Sequence, residues 1–422
     1  MKNNIYSRRV SCRLCNDSNL SLVLPIKPSP IADAFIEGHK KNEIQPLIPL
    51  DLYQCELCGH LQNLDIVNPE LLFRNYLFNT GDSAGLVKHF REYAADNVQR
   101  FTIEKNSLVV EIGSNDGTLL GFFKEFGPRV LGVDPAIGIA KEANNLGIPT
   151  LCEFFSSSLA EEIRTKHGKA KLIVANNVYA HSDNLSDITR GIALLLEDNG
   201  VFIFEVSYLL DIIDKFLFDT VYHEHLSYHS FAPLVKFFES LGLHLFDVRR
   251  IGTKGGSVRG FVQKIGGPQK EMPVIKDLLN QEEYRELHKP GIFREYERQI
   301  MIRKQALHDF IKGAINQGNR VVGYGASTTV TTLMYHFELQ DKLEYLIDDN
   351  DKKHGLYSPG IHLEVKPSDV LYTDKPDVVI VLAWQYADPI IKKHANYISA
   401  GGKFVVPLPE LKIVSHPMEV MV

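Results

Sequence analysis

Short apolar runs alternate with longer amphipathic ones over most of the chain. In "NSLVVEIGSNDGTLLGFFKEFGPRVLGVDPAIGIAKEA", the run Leu108 to Ile112 has strand character and meets a glycine-containing turn followed by a helical pattern. A second apolar run, Arg129 to Val133, ends in Asp134. Strand, turn, helix and strand in that order are the βαβ opening of a doubly wound fold, whose ligand lies beyond the carboxyl ends of the strands. "AKLIVANNVYAHSDNLSDITRGIALLLEDNGVFIFEVSYL" continues with a strand, a polar stretch, a helix and another strand. Upstream, "PELLFRNYLFNTGDSAGLVKHFREYAADNVQRF" has helical periodicity in its second half. Met272 to Gln317 is charged and predicted mostly helical, broken once at "KPG", and reads as a connector. "NRVVGYGASTTVTTLMYHFELQDKLEYLIDDNDKKHG" is a second strand–turn–helix–strand unit. "PDVVIVLAWQYADPIIKKH" adds a further strand and helix, with Trp384 and Gln385 at the strand's carboxyl edge. The pattern predicts an α/β chain.

Length turns this into two or three domains, since 422 residues exceed one ordinary core. A hydrophobic content of 44% and a charged content of 23% are those of a soluble globular protein. The run "GVFIFEVSYLL" is interrupted by Glu205 and is too short to span a bilayer. "MKNNIYSRRVSCRLC" lacks the apolar centre of a signal peptide. The expectation is a cytoplasmic protein with no membrane partner. A net charge of −6 argues against a nucleic-acid partner, which favours a basic face.

Cysteine usage adds the first chemistry. Cys12 and Cys15 form one C-x-x-C pair, Cys55 and Cys58 another. In a chain without export signals such pairs read as metal ligands rather than disulfides. Four thiolates satisfy tetrahedral Zn²⁺ and leave no open position, so the metal is expected to be structural. His60 follows the second pair and reads as a bystander once four cysteines are present.

The turn after Leu108–Ile112 decides the donor class. Gly113-Ser-Asn-Asp-Gly117 lacks the G-x-G-x-x-G of a dinucleotide fold. Glu111 and Asp116 would repel a pyrophosphate, but they suit the cationic methionine end of S-adenosylmethionine (SAM). Gly113 permits close backbone approach, Asn115 belongs to the same turn, and Asp134 is placed to accept from the ribose hydroxyls. Asn176, Asn177, Tyr179 and His181 fall at the carboxyl edge of a later strand, where methyl donor and acceptor meet; Asn176 and Asn177 could instead only cap a helix. Glu205, near the same edge, is either a site group or a satisfied core carboxylate.

One stretch remains, "DTVYHEHLSYHSF", with three histidines, two tyrosines and a glutamate in thirteen residues. It is either catalytic or the polar end of a buried strand. Together with the cysteine pairs, Tyr76-Leu-Phe, "EIGSNDGTLL", "NNVYAHSDNL", "GGSVRGF" and "GYGASTTVTTL", in this order along the chain, it resembles the SAM-dependent sugar C-methyltransferases acting on NDP-4-keto-deoxy sugars. The resemblance implies a zinc-binding domain over 1–75, a SAM-dependent methyltransferase domain over 76–270, a helical connector over 271–317 and a Rossmann-like domain over 318–422. It also implies methylation at C3 of a nucleotide-linked 4-keto sugar.

By the same resemblance Tyr76, His181, Tyr222, Glu224 and His225 stand near the reaction centre, with His225 the base. Lys254 and Arg259, in "TKGGSVRGF", fall on the substrate side. Lys254 stands near a position often held by histidine, and Phe78 where many relatives have a second tyrosine. Gly325, Ala326 and Ser327 open a helix whose N–H groups could meet the sugar nucleotide's diphosphate, or they form only a structural turn. Two rivals, a zinc-ribbon nucleic-acid binder or methylase and a non-catalytic scaffold, lack their discriminating features: a basic face or N-P-P-Y motif for the first, a missing histidine cluster or Asp134 for the second.

Overall fold

The computed structural model describes residues 5–76, 79–252 and 255–415. They form two compact units that do not follow chain order. The first takes residues 1–21, 54–210 and 226–289; the second takes 22–53, 211–225 and 290–422.

The first unit is built on a seven-stranded sheet. Its strands in chain order are β1 (Leu108–Ile112), β2 (Arg129–Val133), β3 (Thr150–Leu151), β4 (Ala170–Asn176), β5 (Leu196–Ser207), β6 (Leu243–Ile251) and β7 (Ser257–Lys264). They lie in the order β6-β7-β5-β4-β1-β2-β3. The strands from β3 across to β5 run parallel, and β7 runs antiparallel to both its neighbours. Strand order reverses between β1 and β4, which opens a crevice at their carboxyl ends. β1 is buried along its whole length, as a strand covered by helices on both faces must be. The helix Ala84–Arg100 turns Phe90, Tyr93 and Ala94 into a core shared with Leu120, Phe123, Phe246 and Phe261.

The cysteine-bearing module belongs to this unit. The strand Tyr6–Arg8 pairs antiparallel with Asp65–Val67, and Leu61–Asn63 pairs antiparallel with Ser227–Tyr228.

The second unit carries a six-stranded sheet: β8 (Val321–Tyr324), β9 (Leu346–Ile347), β10 (Val365–Lys366), β11 (Val378–Val381), β12 (Lys403–Val406) and β13 (Lys412–Val414). Its order is β10-β9-β8-β11-β12-β13, the arrangement of a Rossmann sheet with an antiparallel last strand. The region read as a connector is two helices, Val274–Tyr284 and Pro290–Asn316, with Pro290 opening the second. The second helix buries Phe293, Tyr296, Ile300, Leu307 and Ile311 within its own unit. Among the described residues no helix is long and apolar enough to cross a membrane.

Candidate functional site

The four cysteines converge as their spacing predicts. Their sulfurs lie within 4.8 Å of one another, with Cys12 and Cys58 at 3.6 Å and Cys15 and Cys55 at 3.5 Å. A tetrahedron of sulfurs about 2.3 Å from zinc has edges of about 3.8 Å, so the donor set fits the ion. Each pair sits on a tight turn, closed by Asn16 N–H to Cys12 C=O and by Gly59 N–H to Cys55 C=O. His60 stands outside the cluster; its Nε2 lies 3.2 Å from Ser227 Oγ, and burial pushes its pKa well down. Between the first two ligands, Arg13 is buried. Its Nη1 donates to Gln62 Oε1, to the Asn63 carbonyl and to the Leu226 carbonyl, and Nε pairs with Asp183 at 3.1 Å.

The glycine turn stands at the carboxyl end of β1. Gly113 has φ +69°, and a Cβ there would meet Val178 Cγ2 at 2.3 Å. Asn115 and Asn177, on facing loops of the crevice, also take positive φ, +49° and +56°. Asparagine tolerates that region better than other side chains, and such strain gathers at sites where backbone must be presented.

Three carboxylates line the crevice. Glu111, 3% exposed, is the last residue but one of β1, and its buried Oε2 has no hydrogen-bond partner among the described residues. Burial, then Asp134 and Asp116, push its pKa well above the usual range. Burial also raises Asp134, while two backbone donors hold it back: Asn115 N–H to Oδ2 at 2.8 Å and Ala136 N–H to Oδ1 at 2.9 Å. Asp116 accepts from Thr118 N–H and Oγ1 at the start of the next helix, and from Gly81 N–H at 2.7 Å. Thr80 N–H donates to Asn115 Oδ1 at 2.8 Å, so the turn Thr80–Asp82 is tied to the glycine turn by two hydrogen bonds. That tie was not legible in the sequence. Clustered buried carboxylates, among them Glu111 and Asp134 with pKa raised by burial, suit a cationic ligand, whose charge relieves their mutual repulsion.

Asn176 ends β4 opposite Glu205 of β5. Glu205 is a paired core carboxylate: Arg259 Nε donates to it at 2.6 Å and His89 Nε2 lies 3.0 Å away. Arg259, expected on the substrate side, is 6% exposed, with its guanidinium on Glu205 and 4.0 Å above the Tyr93 ring. Lys254, like Phe78, lies outside the described residues. Tyr76 and His181 gather around Phe73, which stacks on His181 at 5.9 Å and meets Tyr76 at 6.2 Å. Phe73 is a neighbour that the sequence reading missed.

The histidine stretch divides: residues 219–225 belong to the second unit and form turns, while Ser227–Tyr228 is a short strand of the first. Phe218–Thr220 is a single 3-10 turn, followed by a further turn through Tyr222. His225 Nδ1 lies 2.8 Å from the Thr220 carbonyl, and its Nε2 lies 2.9 Å from Tyr222 Oη. A carbonyl oxygen can only accept, so in the neutral ring Nδ1 carries the proton and Nε2 the lone pair. Tyr222 then donates its hydroxyl hydrogen to Nε2. The partner that fixes the tautomer is thus a backbone carbonyl, invisible to any search among side chains.

His223 and His229 differ from their neighbour. His223 faces the Ile48 carbonyl at 3.2 Å, and burial pushes it down to about 4. Burial does the same to His229, which stacks on Tyr179 and His60. Both are core histidines, whereas Tyr222 and His225 are half-buried and Glu224 is buried.

Gly325, Ala326 and Ser327 do form the turn before the helix Thr328–His336. Gly325 N–H donates to the Ile347 carbonyl and Ala326 N–H to Asp348 Oδ2, both at 2.7 Å. Ser327 Oγ pairs with Thr329 Oγ1 at 3.0 Å. These groups are occupied by protein oxygens, one of them a carboxylate.

Three family models match the chain in succession: a "Putative zinc binding domain" over residues 12–73, a "Methyltransferase domain" over 86–248 and a "C-methyltransferase C-terminal domain" over 252–409. The C-methyltransferase NovU of Streptomyces niveus is 31% identical over 405 residues, covering 96% of each chain. Among solved structures, a magnesium protoporphyrin IX methyltransferase of Synechocystis with bound S-adenosylhomocysteine aligns at 16% identity and TM-score 0.34, covering 43% of this chain and 83% of that one. A SAM-dependent methyltransferase of Clostridium acetobutylicum aligns at 14% identity and TM-score 0.34, covering 43% and 92%. The family models, with the strand order and the cysteine cluster, bear out the expected α/β fold and the two expected ligands, SAM and a structural metal.

Proposed function

This chain belongs to the SAM-dependent C-methyltransferases, and from that premise we propose that it methylates C3 of a nucleotide-linked 4-keto-deoxy sugar through an enolate. An sp³ sugar C–H does not attack a methyl group. A C4 ketone acidifies the C3 proton by spreading the resulting charge onto its oxygen, and a base of near-neutral pKa then suffices to remove it. The observation that carries the reading is the His225 ring, whose Nδ1–H is held by the Thr220 carbonyl so that Nε2 bears the lone pair, on which the Tyr222 hydroxyl rests.

In this mechanism His225 Nε2 takes the C3 proton. The new imidazolium keeps its Nδ1–H on the Thr220 carbonyl, and its Nε2–H becomes a donor. Tyr222, which donates to Nε2 in the resting state, would turn to the C4 oxygen when the sugar binds, which frees the lone pair for the C3 proton and places a donor on the developing oxyanion. Such a donor is worth roughly 3 kcal/mol in a water-poor site. SAM, when bound, supplies the electrophilic methyl, the C3–CH₃ bond forming as the S–CH₃ bond breaks. Glu111 and Asp116 would hold its cationic end and Asp134 its ribose, with Gly113, Asn115, Asn176 and Asn177 shaping the crevice. Tyr76, His181 and Glu224 complete the acceptor side of the proposal.

The test is direct. The protein is incubated with SAM and a panel of NDP-4-keto-deoxy sugars, some deuterated at C3, and the products are weighed by mass spectrometry. Gain of one methyl with loss of the C3 deuterium is expected, and His225→Ala should abolish both methylation and SAM-independent wash-out of that deuterium. Full activity of His225→Ala, or methylation on oxygen with the deuterium retained, overturns the reading.

A further inference from the structure

The motif "GYGASTTVTTL" and the Trp384 turn have no task in the chemistry above, yet both reach the turn that carries the Thr220 carbonyl. Trp384, the one tryptophan in the chain, follows β11 in the 3-10 turn Trp384–Tyr386. Its Nε1–H donates to Asp219 Oδ2 at 2.7 Å, and Asp219 is 1% exposed. Thr332, inside the helix Thr328–His336, donates from Oγ1 to the Val221 carbonyl at 2.8 Å. Phe218 stacks on Phe337 with centroids 5.3 Å apart and the planes 20° apart. Residues 218, 219 and 221 are therefore each held by the C-terminal segment of the second unit. Thr220, between them, is left with its carbonyl on His225 Nδ1.

We propose that Trp384 and Thr332 are positioning residues that clamp the Asp219–Val221 turn so that the Thr220 carbonyl keeps His225 in the Nδ1–H tautomer. The proposal rests on the reading of His225 as the base, and it gives the C-terminal Rossmann-like domain a part in the reaction other than holding substrate.

The physical reason lies in how little freedom the arrangement tolerates. A neutral imidazole has two tautomers of similar energy in water, and only an acceptor within hydrogen-bond reach of Nδ1 selects the one with a bare Nε2. The acceptor here is a peptide carbonyl on a one-turn segment, which has few hydrogen bonds of its own. Val221 N–H to the Phe218 carbonyl, and Thr220 N–H and Oγ1 to the Leu217 carbonyl, are its internal ties. A displacement of about 1 Å breaks a 2.8 Å hydrogen bond and costs up to about a hundredfold in rate when a reacting group is carried with it. Two side-chain donors and one aromatic stack, each from beyond residue 330, remove that freedom.

The experiment compares Thr332→Val, Trp384→Phe and Thr332→Ser with the full-length wild type. Long-range ¹⁵N NMR of histidine-labelled protein without sugar nucleotide reads the protonation of the His225 nitrogens, assigned by the signal lost in His225→Ala. The wild type should show a single Nδ1–H tautomer. Thr332→Val and Trp384→Phe should move both nitrogen shifts towards a tautomer mixture, and Thr332→Ser, which keeps the hydroxyl, should restore the single form. Turnover of the NDP-4-keto sugar should fall roughly tenfold or more in Thr332→Val with KM within about twofold, the split expected when a reacting group and not a binding contact is disturbed. Retention of the single tautomer in both Thr332→Val and Trp384→Phe overturns the inference, and Thr332→Val decides alone if the tryptophan variant does not fold. Because the NMR readout needs no turnover, it remains decisive even if His225→Ala proves active and the catalytic reading fails.

Discussion

Replacing Glu111 with Gln separates the effect of its carboxylate on the free protein from its effect on the methyl donor. Glu111 is buried near the end of β1 with one oxygen unpartnered among the described residues, and burial, Asp134 and Asp116 all raise its pKa. A carboxyl raised on folding binds its proton more tightly in the native state. Its contribution is therefore most favourable below the unfolded pKa of about 4.3 and is lost as pH rises towards the folded value. At neutral pH the Gln variant removes that penalty, and an uncompensated buried polar group is worth about 1–3 kcal/mol. At roughly 2–4 °C per kcal/mol for a unit of this size, the free variant should melt about 2–12 °C higher.

With SAM the sign reverses. A charge-assisted hydrogen bond contributes about 1.5–3 kcal/mol, so the variant's dissociation constant should rise roughly 10- to 150-fold. Calorimetry in buffers of different ionisation enthalpy should show proton release when wild type binds SAM and almost none for Glu111→Gln, since the cation favours the ionised carboxylate. A variant with unchanged affinity and unchanged melting temperature would refute the assignment of Glu111 to the donor's cationic end.

Three further outcomes follow from the geometry. Cys58→Ser should reduce bound zinc, measured by elemental analysis, from one ion per chain to a substoichiometric amount and unfold the N-terminal module, because structural zinc contributes about 10–16 kcal/mol of binding free energy to such modules. Arg13→Met should destabilise the first unit by about 1–3 kcal/mol in urea titrations, because the Asn63 and Leu226 carbonyls lose their buried donor while Asp183, 38% exposed, can turn to water; wild-type stability would show that these hydrogen bonds hold nothing. The fluorescence of Trp384 should titrate with a midpoint near 7, since burial pushes Asp219 up to about 7 against the pull of the indole N–H. Asp219 raises stability below about pH 4 and loses that contribution as pH climbs to about 7, so Asp219→Asn should abolish the optical transition and flatten this part of the stability profile.

The sequence by itself determined whatever depends on neighbours a few residues apart. The strands 108–112 and 129–133 and the helix break at Pro290 follow from local periodicity and turn chemistry, and the structure has them where they were expected. Four thiols on two tight turns implied a closed metal site, because C-x-x-C spacing already presents two sulfurs on one side of a turn. What tertiary structure alone decided is which of several chemically identical residues is used. His223, His225 and His229 are indistinguishable by type and spacing, yet two are sealed in the core and one meets a carbonyl and a hydroxyl. Arg259 finds Glu205 across a strand pair, Ala326 gives its N–H to Asp348, and Asp219 meets Trp384 from 165 residues away. Burial and long-range hydrogen bonding set those outcomes. Both depend on how separate stretches of chain pack, whereas periodicity and ligand spacing are properties of each stretch alone.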